Sequence, residues 1–151
     1  MLKKREWFKI SGVAIIERRT KDGKTIDQEI VDNLVVNDGK ERVAKLIGGV
    51  STDVYTHIAI GTGTTAAVIG DSALETEYTR AAATIAYEAS YKIKFEKTFS
   101  FASGVSENIT EAGLTDDAVV SGSVLLDRFV FTAKPIDGDT NLYIKITITI
   151  T

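Results

Sequence analysis

The chain has 151 residues, of which 44% are hydrophobic and 26% charged, proportions that are ordinary for one globular domain. Its formal net charge of −3 combines +5 in the first 24 residues (eight Lys or Arg against three Asp or Glu) with −8 in the remainder (ten against eighteen). The lack of cysteine excludes disulfides and thiolate metal sites. Because the sequence has no apolar run of about 18 residues, we expect no membrane span. Because no apolar stretch follows the basic N-terminus, we expect no signal peptide.

The N-terminal segment mixes large apolar side chains with cations, and we predict that it is an arm that docks on another protein subunit. The residues assigned to this contact are Leu2, Lys3, Lys4, Arg5, Trp7 and Phe8. Apolar groups on a chain terminus need a partner, Trp is a common interface anchor, and the cations would steer the arm toward an acidic neighbour. The alternative is that Trp7 and Phe8 begin the first strand and pack on the domain's own core. We expect no nucleic-acid partner, because few stacking aromatics accompany these charges.

A hairpin and one short helix follow the arm. Residues 12–36 alternate in the manner of two strands joined at Asp22-Gly23, a turn in which glycine accepts a positive φ. Asp38 and Glu41 have the spacing of a capping box, and residues 38–47 have the apolar spacing of a helix that ends at Gly48-Gly49.

The rest of the chain is dominated by strand patterns. Segments 55–60, 79–88, 91–101, 108–114 and 123–132 are rich in β-branched and aromatic residues, and 79–88 with 91–101 is predicted to form a second hairpin. Residues 142–151 alternate between apolar and polar with period two. We therefore predict an all-β fold, an antiparallel β-sandwich or small β-barrel with one short α-helix (38–47) and an N-terminal β-hairpin arm. Residues 1–36 would be the arm and hairpin and 37–151 the core, within one structural domain.

Residues 61–66, Gly-Thr-Gly-Thr-Thr-Ala, match a dinucleotide-binding fingerprint, in which backbone N–H groups cradle a pyrophosphate. The β-α-β context of that fingerprint is missing, so we interpret the segment as a tight loop and expect no cofactor.

Other polar clusters are interpreted as structural. His57 is the single histidine and lies within a strand pattern without a nucleophile motif nearby. The acid pairs Glu75 and Glu77, and Asp116 and Asp117, lie in loop-like sequence, and the turn at 137–139 has no EF-hand spacing. We therefore predict turn chemistry over catalysis or a calcium site, no metal, and a protein that is not an enzyme.

Several motifs, taken in order, resemble small virion structural proteins of tailed bacteriophages. They are residues 33–36 leading to Gly39 and a helix, 57–66, 74–77 with Arg80, 109–114, 125–131, 135–140 and the alternating final strand. Proteins of this kind decorate and cement the head or belong to tail fibres and tail tips. The resemblance covers residues 33–151 and implies no catalytic residues.

The resemblance implies assembly into homo-oligomers, often trimers, that dock on the major capsid protein or on tail proteins. It also implies that the protein is made in the host cytoplasm and is then located in the virion. The basic arm favours decoration, because a cement protein must reach across neighbouring capsid subunits. A tail-fibre or tail-tip component, or a receptor- or carbohydrate-binding β-module, is the alternative. The final strand and segment 123–132 also need pairing, which favours a closed oligomer.

The motifs also contain three charges beside apolar runs, namely Arg80, Glu111 and Arg128. We predict that Glu111 pairs with Arg80 or Arg128 inside the core or at its edge. The alternative is that each of these charges is exposed on the surface.

Overall fold

The structure is a computed structural model that describes residues 7–151. Within that range the chain forms nine β-strands and one α-helix. They are β1 (Ile10–Thr20), β2 (Thr25–Val35), α1 (Asn37–Ile47), β3 (His57–Gly61), β4 (Glu77–Ala82), β5 (Thr84–Glu88), β6 (Lys92–Ser100), β7 (Ser106–Thr115), β8 (Leu125–Asp137) and β9 (Thr140–Ile150). The described helix is too short to cross a membrane.

The strands form one antiparallel sheet in the order β4-β3-β7-β8-β2-β1-β9-β6-β5. The sheet curls into a nearly closed barrel because its two edge strands are consecutive in sequence and are separated by Ala83 alone. At Ala83 the chain passes from one edge of the sheet to the other. The Ala83 N–H bonds to the carbonyl of Thr56, just before β3, whereas the next residue, Thr84, pairs with Glu96 of β6. The predicted all-β class with one short helix is confirmed.

The N-terminal hairpin is an integral part of this barrel. Gly23 has the positive φ expected of the turn, and β1 pairs with β2 on one side and with β9 along its whole length on the other. The last strand also pairs with β6, so both edges of β9 are satisfied within the chain. The need of the final strand for a partner is therefore no argument for an oligomer.

The barrel interior is filled by the inward-facing residues that the alternating patterns predicted. Leu142, Ile144, Ile146 and Ile148 of β9 are buried, and they pack with Phe95 and Phe99 of β6 and with Phe129 and Phe131 of β8. At roughly 25 cal/mol per Å² of apolar surface, such burial is the main favourable term in the folding of the chain.

The barrel is weakest where β2 meets β8, because only Leu34 and Val35 pair with that strand. Beyond these residues a side chain bridges the gap: the Glu29 carboxylate accepts hydrogen bonds from the Thr132 N–H at 3.2 Å and from Lys134 Nζ at 2.8 Å. Side-chain bonds of this kind connect the two strands where the backbone ladder is missing.

Two strand predictions need correction. The segment expected as one hairpin arm, 79–88, is two strands that bend at Ala83, so that its first half pairs with β3 and only its second half with β6. The short element expected at 108–114 is the ten-residue strand β7. It is buried on both faces after Asn108, because the loop 62–76 covers its outer side, and such a strand lacks a clean alternation.

The predicted capping box at Asp38 is wrong. The N-cap is Val36 and no side chain caps the helix, although the C-terminal end at Gly48-Gly49 is as predicted, with Gly49 at positive φ. The helix begins directly from β2, and Val36 N–H bonds to the Leu126 carbonyl in place of a cap. Gly39 is the one helix residue that is fully buried, and a Cβ there would lie 2.4 Å from the Leu126 carbonyl oxygen.

We predict that Gly39→Ala destabilises the protein by about 1–3 kcal/mol, because the added methyl meets backbone that cannot move without shifting β8. Urea unfolding monitored by circular dichroism measures the change. Gly48→Ala is the matched control, since no atom lies within 4 Å of its added Cβ. Equal stability of the two variants would show that the helix does not need this close approach.

Candidate functional site

The most organised polar cluster lies on the outer face of the β3-β7-β8 sheet, beneath the loop 62–76. Strand register sets Gly113 of β7 directly opposite Arg128 of β8, and Glu111 two residues away on the same face. Diagonal neighbours of this kind are within reach of long side chains. A small outer apolar cluster of Val36, Ala59, Leu74 and Leu125 lies beside them. The cluster is therefore buried by the loop and lies outside the barrel core.

The Glu111 carboxylate, which is 0% exposed, is solvated entirely by the protein. Its Oε1 accepts the N–H of Gly63 at 2.9 Å and of Thr76 at 2.8 Å. Its Oε2 accepts the N–H of Glu75 at 3.0 Å and Nε of Arg128 at 2.8 Å. Three backbone donors and one guanidinium replace the water that the ion loses, which is what makes its burial tolerable.

Arg128 distributes its charge over the same loop. Its Nη1 lies 2.9 Å from Asp71 Oδ2, and its Nη2 donates to the Thr65 carbonyl at 2.9 Å. Burial opposes the charged form of this side chain, but the hydrogen bonds to Glu111 and Asp71 outweigh burial and raise the pKa of Arg128 above its ordinary value. The two charged residues together fasten both ends of the 62–76 loop to the sheet.

The glycines of the 61–66 motif are explained by Glu111. A Cβ on Gly61 would lie 2.6 Å from Glu111 Oε1, and one on Gly63 would lie 2.5 Å from the same atom. The backbone N–H of Gly63, which in a nucleotide site would face a phosphate, here binds a carboxylate of the chain itself. The motif is thus a cradle for an internal anion, a function that the sequence pattern alone did not reveal.

The structure brings Glu111 and Arg128 together but places Arg80 elsewhere. Arg80 forms a two-pronged pair with Glu77, at 2.7 Å and 2.9 Å. Its Nη1 also donates to the carbonyls of Asp117 at 2.9 Å and Val119 at 3.2 Å. The predicted Glu111–Arg80 alternative is wrong, because Arg80 holds the 116–124 loop in place.

Other polar residues singled out from the sequence have local roles. His57 begins β3, and its Nδ1 lies 2.8 Å from the hydroxyl of the adjacent Thr56. Asp116 pairs with Arg42, and Asp137 accepts the Asp139 N–H at 2.8 Å within the turn before β9. Among residues 7–151, no three His, Asp or Glu side chains are grouped as metal ligands.

A second buried carboxylate, Asp127, was not predicted from the sequence. It accepts Asn33 Nδ2 at 2.7 Å and the Leu114 N–H at 3.0 Å. Burial raises the pKa of Asp127 to about 6, although these two hydrogen bonds lower it. The Asn33 Oδ1 beside it is buried without a hydrogen-bond partner.

The described N-terminal residues lie outside the core. Trp7 and Phe8 are 77% and 65% exposed, and regular pairing starts where Lys9 N–H bonds to the Thr151 carbonyl at 2.6 Å. The alternative that both aromatics pack on the domain's own core is therefore wrong. The predictions on Leu2, Lys3, Lys4 and Arg5 lie outside the described residues.

Beside Phe8 runs an apolar groove of about 820 Å³ between α1 and the adjoining ends of β1 and β2. We call it the α1 groove. Its apolar lining is Phe8, Ile10, Val13, Leu34, Val43, Ala44 and Ile47. Ile47 is 74% exposed. Large exposed apolar side chains concentrated around one groove mark a contact surface.

No protein-family model matches the chain, and no curated protein or solved structure is significantly similar to it. The likeness to phage virion proteins therefore stays a prediction.

We predict that Glu111→Gln destabilises the protein by about 3–5 kcal/mol. The NH₂ group of the glutamine would face backbone N–H groups and Arg128, which are all hydrogen-bond donors, and Arg128 would lose its buried negative partner. Chemical denaturation measures the loss. Glu41→Gln, which breaks an exposed pair with Lys45, is the control and should leave the unfolding midpoint unchanged. A Glu111→Gln midpoint equal to that of the control would contradict the structural role.

We predict that Asp127→Asn stabilises the protein at pH 7 by about 1–3 kcal/mol. The folded chain holds the Asp127 proton up to pH about 6, whereas an unfolded Asp loses it near 3.8, so stability falls as pH rises between these values. The asparagine at position 127 keeps both hydrogen bonds if the Asn33 side-chain amide flips. The NH₂ group at position 127 then donates to Asn33 Oδ1, which has no partner in the parent chain. Unfolding free energies from pH 3.5 to 7.5 test this. An unaltered pH dependence in the variant would contradict the assignment.

Proposed function

We propose that the chain is a non-enzymatic structural protein of a bacteriophage virion, specifically a capsid decoration protein that self-assembles and binds neighbouring subunits of the head lattice. In this role it would be made in the host cytoplasm and remain in the particle. The order of motifs in residues 33–151 suggests the virion context, and the surface chemistry suggests the assembly role.

The observation that carries the assembly role is the contact surface at the α1 end of the barrel. Trp7, Phe8 and Ile47 are each about two-thirds exposed or more; Phe8 and Ile47 line the α1 groove, and Trp7 directly precedes Phe8 in the chain. Contiguous exposed apolar area on a folded protein is typical of a binding site for another protein. A second copy of the chain in the groove, with capsid subunits beside it at Trp7, would supply such partners.

The ionic groups support the same interpretation. Arg128 and Arg80 each hold a loop to the sheet through carboxylates and backbone carbonyls, and Arg42 ties the loops at Asp53 and Asp116 to helix α1. Charges used in this way stiffen long loops against a β-scaffold, which suits a protein whose task is to keep a fixed shape on a particle.

The location on the virion is tested by counting copies in purified particles. A decoration protein is expected in hundreds of copies, in proportion to lattice sites, as measured by quantitative mass spectrometry against the major capsid protein. A handful of copies would instead assign it to the tail. Its absence from particles would contradict the virion role altogether.

We predict that a Trp7→Ala/Phe8→Ala variant melts at the same temperature as the parent chain, because both side chains lie outside the core. We also expect its occupancy of particles to be at least about tenfold lower, because an aromatic anchor buried in an interface contributes about 1.4 kcal/mol or more to binding. Occupancy is measured by adding purified protein to undecorated particles. Ile26→Ala, at the far end of β2, is the control and should bind normally. A lowered melting temperature with normal occupancy would assign the two aromatics to the core.

A further inference from the structure

The β5–β6 hairpin extends the barrel wall beyond its core. Strand register places Gly12, Ile148, Ile93 and Tyr87 in one row across β1, β9, β6 and β5, so these residues share the inward face. Ile148 is buried, but Tyr87 at the end of the row is 71% exposed. Beyond the buried Phe95, the inward face of the hairpin is therefore apolar and uncovered toward its turn.

The turn of this hairpin holds a second exposed aromatic in an unfavourable backbone conformation. Ser90 and Tyr91 have φ of 66° and 65°, a region that non-glycine residues seldom adopt. Tyr91 is 75% exposed, and its N–H points to the Tyr87 hydroxyl at 3.4 Å. Unfavourable backbone conformations are often retained where they present a side chain for function.

The projecting hairpin and the α1 groove lie at the same end of the barrel. Gly12 lines the groove, and it also begins the row across β1, β9, β6 and β5 that ends at Tyr87. Three strand spacings therefore separate Gly12 from Tyr87, a distance of roughly 14 Å. A projection and a recess are thus side by side on one surface. The high exposure of Tyr87 means that the hairpin does not fill the groove of its own chain.

We propose that two copies of the chain pair about a two-fold axis, with the Tyr87–Tyr91 hairpin of each copy seated in the α1 groove of the other. This inference rests on the self-assembly part of the proposed function. A two-fold interface uses the same surface on both partners, so it needs a projection and a recess on one face, as found here. A head-to-tail ring, such as the trimer that the resemblance implies, needs them on different sides of the molecule.

The area available is appropriate for a second copy. An aromatic side chain buries ~150–250 Å² when it is covered. Tyr87, Tyr91 and Phe8 are each about two-thirds to three-quarters exposed, so covering them would supply about half of the ~800 Å² that each partner of a stable pair buries. Ile47, Ile85 and Ile93 extend the same surface, and each is exposed in the single chain.

The absence of cysteine from the chain allows a cross-linking test without background. Ile47→Cys, at the groove, and Ala89→Cys, in the exposed turn of the hairpin, are combined in one chain that keeps Tyr87, and this chain is treated with a short bismaleimide. Two-fold pairing predicts a covalent product that stops at the dimer even with excess reagent, since both links join the same two chains. A covalent trimer or a ladder would overturn the two-fold arrangement in favour of a ring or an open chain.

The control joins Ala89→Cys with Ile26→Cys, an exposed position nine residues from Val35 along β2, and should give no link between residues 89 and 26. Sedimentation of the unaltered chain at micromolar concentration keeps the test independent of the cysteine variants. A dimer is expected, and Tyr87→Glu should weaken its Kd at least about tenfold. A monomeric parent chain would overturn the pairing. Particles that still carried hundreds of copies of that monomer would leave the virion role intact.

Discussion

The carboxylate of Glu111 is the constraint around which the outer layer of the protein is built. An ion without access to water must be solvated by the chain, and here the solvent is the backbone of residues 63, 75 and 76 together with Arg128. Removing the anion would leave three buried N–H groups and a guanidinium unpaired at once. The position of the 62–76 loop, the glycine at position 63 and the burial of the outer apolar cluster are all tied to this one group.

Asp127 illustrates the opposite arrangement. It has two hydrogen-bond donors and no cation, whereas Glu111 has four donors, one of them charged. Burial therefore dominates at Asp127 and raises its pKa. The two acids lie sixteen residues apart and are both inaccessible to solvent, but Glu111 is paired with an arginine and Asp127 with an asparagine.

The parts of the fold that could be predicted from sequence are those in which the alternation of apolar and polar residues matches the alternation of buried and exposed side chains. β9 alternates because one face packs in the barrel and the other faces outward, so its ten-residue pattern was sufficient. Strand β7 could not be predicted in full because a loop covers its second face, and the start of α1 could not be predicted because a strand carbonyl replaces the side-chain cap. The Glu111–Arg128 contact was foreseen as one of two options. The role of Gly61 and Gly63 depends on a carboxylate about fifty residues away, which no local pattern contains.

The pairing of β1 with β9 also determines when the chain can fold. Residues 10–20 pair with residues 140–150, so the barrel cannot close until residues 140–150 have been synthesised. Contacts of such long sequence separation make closure slow, because the entropy of a long loop is lost before the pairing is gained. During synthesis the β1–β2 hairpin exposes an unpaired apolar edge, and its Lys and Arg residues then act as gatekeepers against premature association.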